Sequence, residues 1–273
     1  MPELPEVEVT RLGLAPLIHG KVYDVQVRNY SLRWPVNPNL KKILHSQELI
    51  SLNRRGKYLL AGFSNGFLIM HLGMSGRISV VSEKKIPMKH DHIDICFNIG
   101  GTKKILRFND TRRFGAMIWT DKNPLGHKLI SALGPEPLSD EFNVNYLFEK
   151  VKRKKQPIKS TIMDSHIVVG VGNIYASESL FLAAIRPQRQ SQKIKKKEIK
   201  VLVDSIKAVI QKAIERGGST LNDFYSVNGQ SGYFQNEHNV YARENECCVN
   251  CDEKIYLIKI GQRSSFYCKR CQV

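Results

Sequence analysis

LGPEPLSDEF, residues 133–142, divides the chain into two halves that follow different hydrophobic periods. Two prolines and a polar cluster interrupt any regular element there. On the N-terminal side, apolar residues alternate or fall in compact runs. These are VYDVQV (22–27), KYLLAGF (57–63), FLIMHL (67–72), HIDICF (92–97) and FGAMIW (114–119), separated by Gly, Asn and Pro. Short strands at this spacing predict a β-sandwich or barrel rather than alternating βαβ units. On the C-terminal side the period lengthens to about 3.6. In residues 198–218, Ile199, Leu202, Ile206, Val209, Ile210 and Ala213 form one helical face, and Gly217-Gly218 end it. A shorter helical pair flanks GVGN (170–173), where Asn173 is suited to cap the helix that begins IYASESLF. The fold class is therefore α+β, with expected divisions at 1–132, a linker at 133–150, a helical segment at 151–238 and a tail at 239–273. Between the long helix and the tail lies a loop, 217–237, carrying Tyr225, Tyr233 and Phe234.

Charge narrows the partners. Forty-two Lys and Arg against 25 Asp and Glu give a net charge of +17. Such an excess points to a polyanion, because each cation set on a phosphate releases condensed counterions. Anionic membrane is the competing surface, but no basic amphipathic helix with bulky apolar residues opposite is present. No stretch reaches the ~18 apolar residues of a membrane span. The acidic opening residues predict no secretory signal, and hence a cytoplasmic location. The runs KRKK (152–155) and KIKKK (193–197) each read equally well as a solvated face or a phosphate contact.

Five of the six cysteines fall in the last 27 residues. Cys248-V-N-Cys251 and Cys268-K-R-Cys271 have the spacing of a four-cysteine zinc site, each CxxC turn supplying two thiolates. Disulfides are the rival reading, disfavoured in a reducing cytoplasm. Cys247 could stand in for Cys248, but the two-residue spacing selects Cys248. Four protein ligands leave no position for a reactive water, so the expectation is one structural Zn2+ per chain. It would hold the hairpin 255–267, which carries Arg263, in a tail too small to fold alone. Cys96, in an alternating strand, reads as an inert core thiol.

The first eight residues, MPELPEVE, raise a different chemistry. Removal of Met1 leaves Pro2 with a free secondary amine beside the Glu3 carboxylate. Pro5 at a first-turn position predicts a helix starting directly behind Pro2. Read alone, the stretch is only a helix start.

The motifs together resemble the bacterial formamidopyrimidine-DNA glycosylase family. They are PELPEVE (2–8), RRGKYL (54–59), HLGMSG (71–76), KHDH (89–92), NDTRRFG (109–115), GVGNIYASE (170–178) and the two CxxC pairs, in order across nearly the whole chain. The resemblance implies an N-terminal β-sandwich with a flanking helix, a helix–two-turns–helix domain and a zinc-finger β-hairpin, with DNA across the cleft between them. It implies a monomeric base-excision enzyme that removes oxidised purines from double-stranded DNA and then cuts the abasic strand by β,δ-elimination. By position, Pro2 matches the nucleophile at C1′, Glu3 the acid/base at the deoxyribose and Glu6 a supporting carboxylate. Lys57 matches a proton donor and phosphate contact, and Arg263 a phosphate ligand linked to the second elimination. His90, Arg112, Lys154 and Asn173 match DNA contacts. Met74, Arg112 and Phe114 match the side chains that fill the gap left by an extruded base.

Those roles make physical sense. A base must leave the stack to be attacked, at a cost of a few kcal/mol, and an apolar wedge can refill the void. Read alone, Met74 and Phe114 are core packing. Val9 stands where the family pattern suggests threonine, residues 98–104 suggest an enlarged turn, and the chain ends CQV; none touches an assigned catalytic position. The rivals are an endonuclease VIII-like enzyme for oxidised pyrimidines, a silent damaged-DNA-binding protein and a zinc-dependent regulator. The wedge segment favours the purine enzyme over the first. The presence of Pro2, Glu3 and Lys57 argues against the second, and the third leaves PELPEVE unexplained.

Overall fold

The alternating segments of the first half pair into two antiparallel sheets. The computed structural model describes residues 2–219 and 233–273, so Tyr225 and most of the loop 217–237 lie outside the described residues. The chain divides into two units, Met1–Ser131 with Gly217–Gly232, and Ala132–Arg216 with Tyr233–Val273.

The first unit opens with helix α1 (Leu4–Leu14), strand β1 (Lys21–Val27) and a short helix α2 (Leu40–Leu44). Strands β2 (Leu49–Arg55), β3 (Tyr58–Phe63), β4 (Gly66–His71), β5 (Gly76–Val81), β6 (Asp91–Ile99), β7 (Thr102–Asp110) and β8 (Ala116–Thr120) follow. One sheet runs β1-β6-β7-β5 and the other β2-β3-β4-β8. Both feed a single apolar core: Val22, Ile93, Ile95 and Phe108 from the first sheet meet Leu52, Leu59, Leu68 and Met70 from the second, with Val7 and Leu14 of α1. This is the expected sandwich with its flanking helix.

Three strands escaped the sequence pattern, and β7 shows why. β6 and β7 are buried on both faces, so polar residues sit inside where alternation would place them in water. Arg107 donates to both oxygens of Asp94 at 2.9 and 2.8 Å and to the Lys85 carbonyl oxygen at 3.0 Å, which brings the 83–89 loop over the outer face. The expected enlarged turn at 98–104 is instead a two-residue hairpin. Ile99 pairs with Thr102 across Gly100 and Gly101, both at positive φ, as a type I′ turn requires.

The second unit contains helices α3 (Val144–Val151), α4 (Ile158–Ile162), α5 (Asn173–Leu182) and α6 (Lys196–Glu215) and the hairpin of β9 (Ile255–Ile260) and β10 (Arg263–Cys268). The stretch expected as a linker, 133–150, carries α3. Its Leu147 and Val151 are fully buried, and it packs on α6. The physical reason is the amphipathic VNYLFEKV, capped by Asn143, whose Oδ1 accepts from the Tyr146 amide at 3.0 Å. The tail does not stand apart from the helices either. The buried Glu178 carboxylate of α5 accepts from the backbone amides of Asn239, Val240 and Tyr241 at 2.8, 3.0 and 2.8 Å.

Candidate functional site

Helix α1 sets the geometry at the chain start. Glu3 is its N-cap and Pro5 lies in its first turn, where the missing N–H costs nothing. Glu6 then ties the turn down: its Oε2 accepts from the Glu3 amide and its Oε1 from the Ser219 amide, each at 2.8 Å. The positive end of the helix favours both carboxylates. Gly218 allows the Ser219 contact, because its φ is +80° and a Cβ there would come within 2.9 Å of Glu6 Oε1. Pro2, Glu3 and Glu6 are all buried.

Lys57 sits in the β2–β3 turn beside Gly56, whose φ is +58°. Arg54 joins this turn to α1, donating to Glu8 Oε2 at 2.7 Å and to the Gly56 carbonyl at 3.0 Å. Burial raises the Glu8 pKa, but hydrogen bonds and charge from Arg11 and Arg54 outweigh it and leave the group lowered. His71, at the end of β4, was missed by the sequence reading. Burial, then the neighbouring Lys57 and Arg33 charges, push it down to about 4. Its Nδ1 accepts from the Gly73 amide at 3.1 Å, so the neutral ring carries its proton on Nε2.

The β4–β5 and β7–β8 connections meet backbone to backbone. A Cβ on Gly73, at φ +61°, would lie 2.4 Å from the Phe114 carbonyl carbon. Asp110, wholly buried, binds both connections: Oδ1 accepts from Ser75 Oγ at 2.6 Å and Oδ2 from the Gly115 amide at 2.7 Å. Ser75 Oγ in turn accepts from the Arg112 amide at 3.1 Å. The Asp110 amide donates to the His90 carbonyl at 3.0 Å, and its carbonyl accepts from His92 Nε2 at 2.8 Å. One residue thus gathers the segments bearing Met74, His90, Arg112 and Phe114. Phe114 is 48% exposed and Arg112 is exposed, so Phe114 is not core packing. Asp110 also went unread; its sequence signal was an acidic residue directly before the polar stretch Thr111-Arg112-Arg113, and the structure makes it the last residue of β7.

In the second unit, α5 is capped by Gly172, not by Asn173. Asn173 occupies the first helical position, and its buried Oδ1 has no hydrogen-bond partner among the described residues. The expected cap fails because the helix starts one residue earlier than the pattern suggests, so Asn173 already has a helical backbone and no side chain caps the end. Lys154 follows α3, its carbonyl accepting from the Gln192 amide.

At the tail, the four sulfurs of Cys248, Cys251, Cys268 and Cys271 lie within 4.8 Å of one another. Separations of 3.8, 3.5 and 3.3 Å for 248–271, 251–268 and 251–271 approach the ~3.8 Å edge of a tetrahedron with ~2.3 Å zinc–sulfur bonds. Cys247 lies outside the quartet. The donor set and spacing fit zinc. Gln272 braces the site, accepting from the Cys268 amide and donating to the Ile185 carbonyl, both at 2.8 Å. Arg263 is exposed at the hairpin turn, and the buried Lys159 of α4 donates to the Ser264 carbonyl at 3.0 Å and to Ser265 Oγ at 2.8 Å.

The first unit carries Pro2, two buried carboxylates and two surface loops joined through Asp110, and the second carries a four-cysteine hairpin; the known proteins that this chain resembles are DNA-processing proteins. Two family models cover most of the chain. The formamidopyrimidine-DNA glycosylase N-terminal domain matches residues 1–117, and the formamidopyrimidine-DNA glycosylase H2TH domain matches residues 133–225. Formamidopyrimidine-DNA glycosylase of Saccharophagus degradans is 49% identical over all of both chains. The Lactococcus lactis Fpg in complex with an abasic site containing DNA superposes with a TM-score of 0.90 at 34% identity, covering 99% of each chain. A mutant of the Lactococcus lactis protein bound to a Fapy-dG containing DNA gives 0.91 at 33% identity, again over 99% of each. The chain belongs to the formamidopyrimidine-DNA glycosylase family, whose members are DNA glycosylases with abasic-site lyase activity.

Proposed function

We propose that this enzyme excises oxidised purines from duplex DNA through a Schiff base on Pro2 and cleaves the resulting abasic strand. The observation that carries this reading is the position of Pro2, immediately ahead of the Glu3 N-cap, with Glu6 locking the helix start. After Met1 is removed, the Pro2 nitrogen attacks C1′ and the bond to the base breaks, its electron pair leaving with the base, which takes up the proton that the Pro2 nitrogen sheds. Glu3 passes a proton to the ring oxygen as the sugar opens, giving an iminium between Pro2 and C1′. That cation acidifies the C2′ proton. Its loss expels the 3′ phosphate, and a second elimination, assisted by Arg263, expels the 5′ phosphate. Hydrolysis of the iminium frees Pro2. Lys57 supplies a proton donor and a phosphate contact.

DNA is held by His90, Lys154, Asn173 and Arg263, while Met74 and Phe114 enter the stack and Arg112 donates to the orphaned base. Zinc, bound by the four cysteines, supplies only rigidity to the hairpin that presents Arg263. The protein acts as a monomer on chromosomal DNA in the cytoplasm. Among the described residues, no helix is long and apolar enough to cross a membrane.

Borohydride trapping on abasic DNA tests the nucleophile. The expected adduct lies on the N-terminal residue, Pro2. A protein engineered to retain Met1 has an amide nitrogen there, its lone pair delocalised, and should bind yet yield no adduct. An adduct mapped to Lys57 with Pro2 unmodified would overturn the mechanism. On damaged duplexes, 8-oxoguanine should be released faster than thymine glycol; the reverse order would favour the pyrimidine enzyme.

A further inference from the structure

The two basic runs, 152–155 and 193–197, are nearly forty residues apart in sequence, and the fold of the second unit brings them together. The Ile158 amide donates to the Arg189 carbonyl at 2.8 Å, the Ser191 amide to the Gln156 carbonyl at 3.0 Å and the Gln192 amide to the Lys154 carbonyl at 2.9 Å. The first run therefore borders the start of the second. Lys196 Nζ lies 6.0 Å from the ring centroid of Phe148 on α3, one turn before Lys152.

Nearby carboxylates are already engaged. Glu149 pairs with Lys152, and Glu198 takes Arg189 at 2.6 Å and the Lys195 amide at 2.8 Å. Among the described residues, Arg153, Lys155, Lys193, Lys196 and Lys197 make no ion pair, and Lys154 makes none either, although its charge reaches the Asp164 carboxylate, which also accepts from His166. Lysines at the start of α6 also oppose the positive end of its dipole, so helix stability does not account for them.

We infer that these runs form one cationic track that binds the phosphate backbone of duplex DNA beyond the lesion. This rests on the reading of the chain as a DNA glycosylase, in which Lys154 contacts DNA. A membrane surface is the weaker occupant. The apolar side of α6 (Ile199, Leu202, Ile206, Ile210) is wholly buried within the unit, leaving no face to insert into lipid.

The test replaces Lys193, Lys195, Lys196 and Lys197 together by Gln, none of which has a catalytic assignment. Affinity for undamaged duplexes of about one and a half and about three helical turns is followed from about 50 to 200 mM salt. In the wild type the log–log slope should be steeper on the long duplex by about 2 to 4, at ~0.9 per phosphate. The variant should lose that excess while keeping the short-duplex slope, zinc content and abasic-site cleavage. Equal wild-type slopes at both lengths, or an unchanged long-duplex slope in the variant, overturn the track. Wild-type binding to phosphatidylglycerol vesicles, lost in a variant whose DNA slopes are unchanged, also overturns it and assigns the surface to membrane. Failure of the wild type to cleave abasic or oxidised duplex refutes the glycosylase reading instead.

Discussion

Asp110 has two carboxylate oxygens, and each holds a different loop: Ser75 Oγ on one side, the Gly115 amide on the other. Asp110→Ala leaves the buried Gly115 amide without an acceptor, a loss of about 1–3 kcal/mol, and frees the half-buried Ser75 hydroxyl at a smaller cost. The connections bearing Met74 and Phe114 then lose their common anchor. Single-turnover excision of a damaged base should fall about 10- to 100-fold, at ~1.4 kcal/mol per tenfold, while cleavage of a ready-made abasic site falls much less. Asp110→Asn can still accept from Gly115 and should recover most of the rate. Equal losses on both duplexes would count against a wedge-positioning role. His71 gives a pH signature. Its folded pKa of about 4 lies below the ordinary imidazole value of 6.5, so the unfolded chain binds the proton more readily. Its contribution is present above pH ~6.5 and is lost as pH falls from there toward 4. The melting temperature of His71→Gln should therefore drop less than that of the wild type between pH 7 and 5.

Among the elements, the hairpin of β9 and β10 depends most on a bound ion, because it has few buried apolar residues of its own. Cys268→Ser or Cys271→Ser should lower zinc content and DNA affinity together, since Arg263 loses its support. Full DNA affinity in a metal-free protein would refute that link. The elements that sequence made legible share a plain pattern: β3 and β4 are apolar runs, α6 shows its buried stripe, and the CxxC pairs announce the ion. Those it hid lack one. β7 buries Arg107 in an ion network with Asp94, and β2 ends in arginines because Arg54 faces Glu8. The start of α5 misled for a subtler reason, since Asn173 satisfies capping statistics but Gly172 takes the cap. The site residues proposed to act directly were named from motif order. Asp110, His71 and Lys159 were not, because holding another group in place leaves no spacing signature.

At the scale of the whole molecule, the +17 charge makes binding to undamaged duplex a salt-sensitive process. Affinity should fall with a log–log slope of about −0.9 per neutralised phosphate, and Lys154→Ala should flatten it by roughly one. An unchanged slope would return 152–155 to solvated surface.

The Glu6–Ser219 bond has a consequence in biosynthesis. Its two ends are 213 residues apart, and translation at about 5–20 residues per second separates their emergence by roughly 10 to 40 s. A ribosome-bound chain that has exposed only its N-terminal strands therefore holds Pro2 and Glu3 but lacks the second clamp on their helix. The amine is born first and anchored late, so abasic-site cleavage should be absent from stalled nascent chains ending before residue 216 and arise only once the segment beyond α6 has left the exit tunnel.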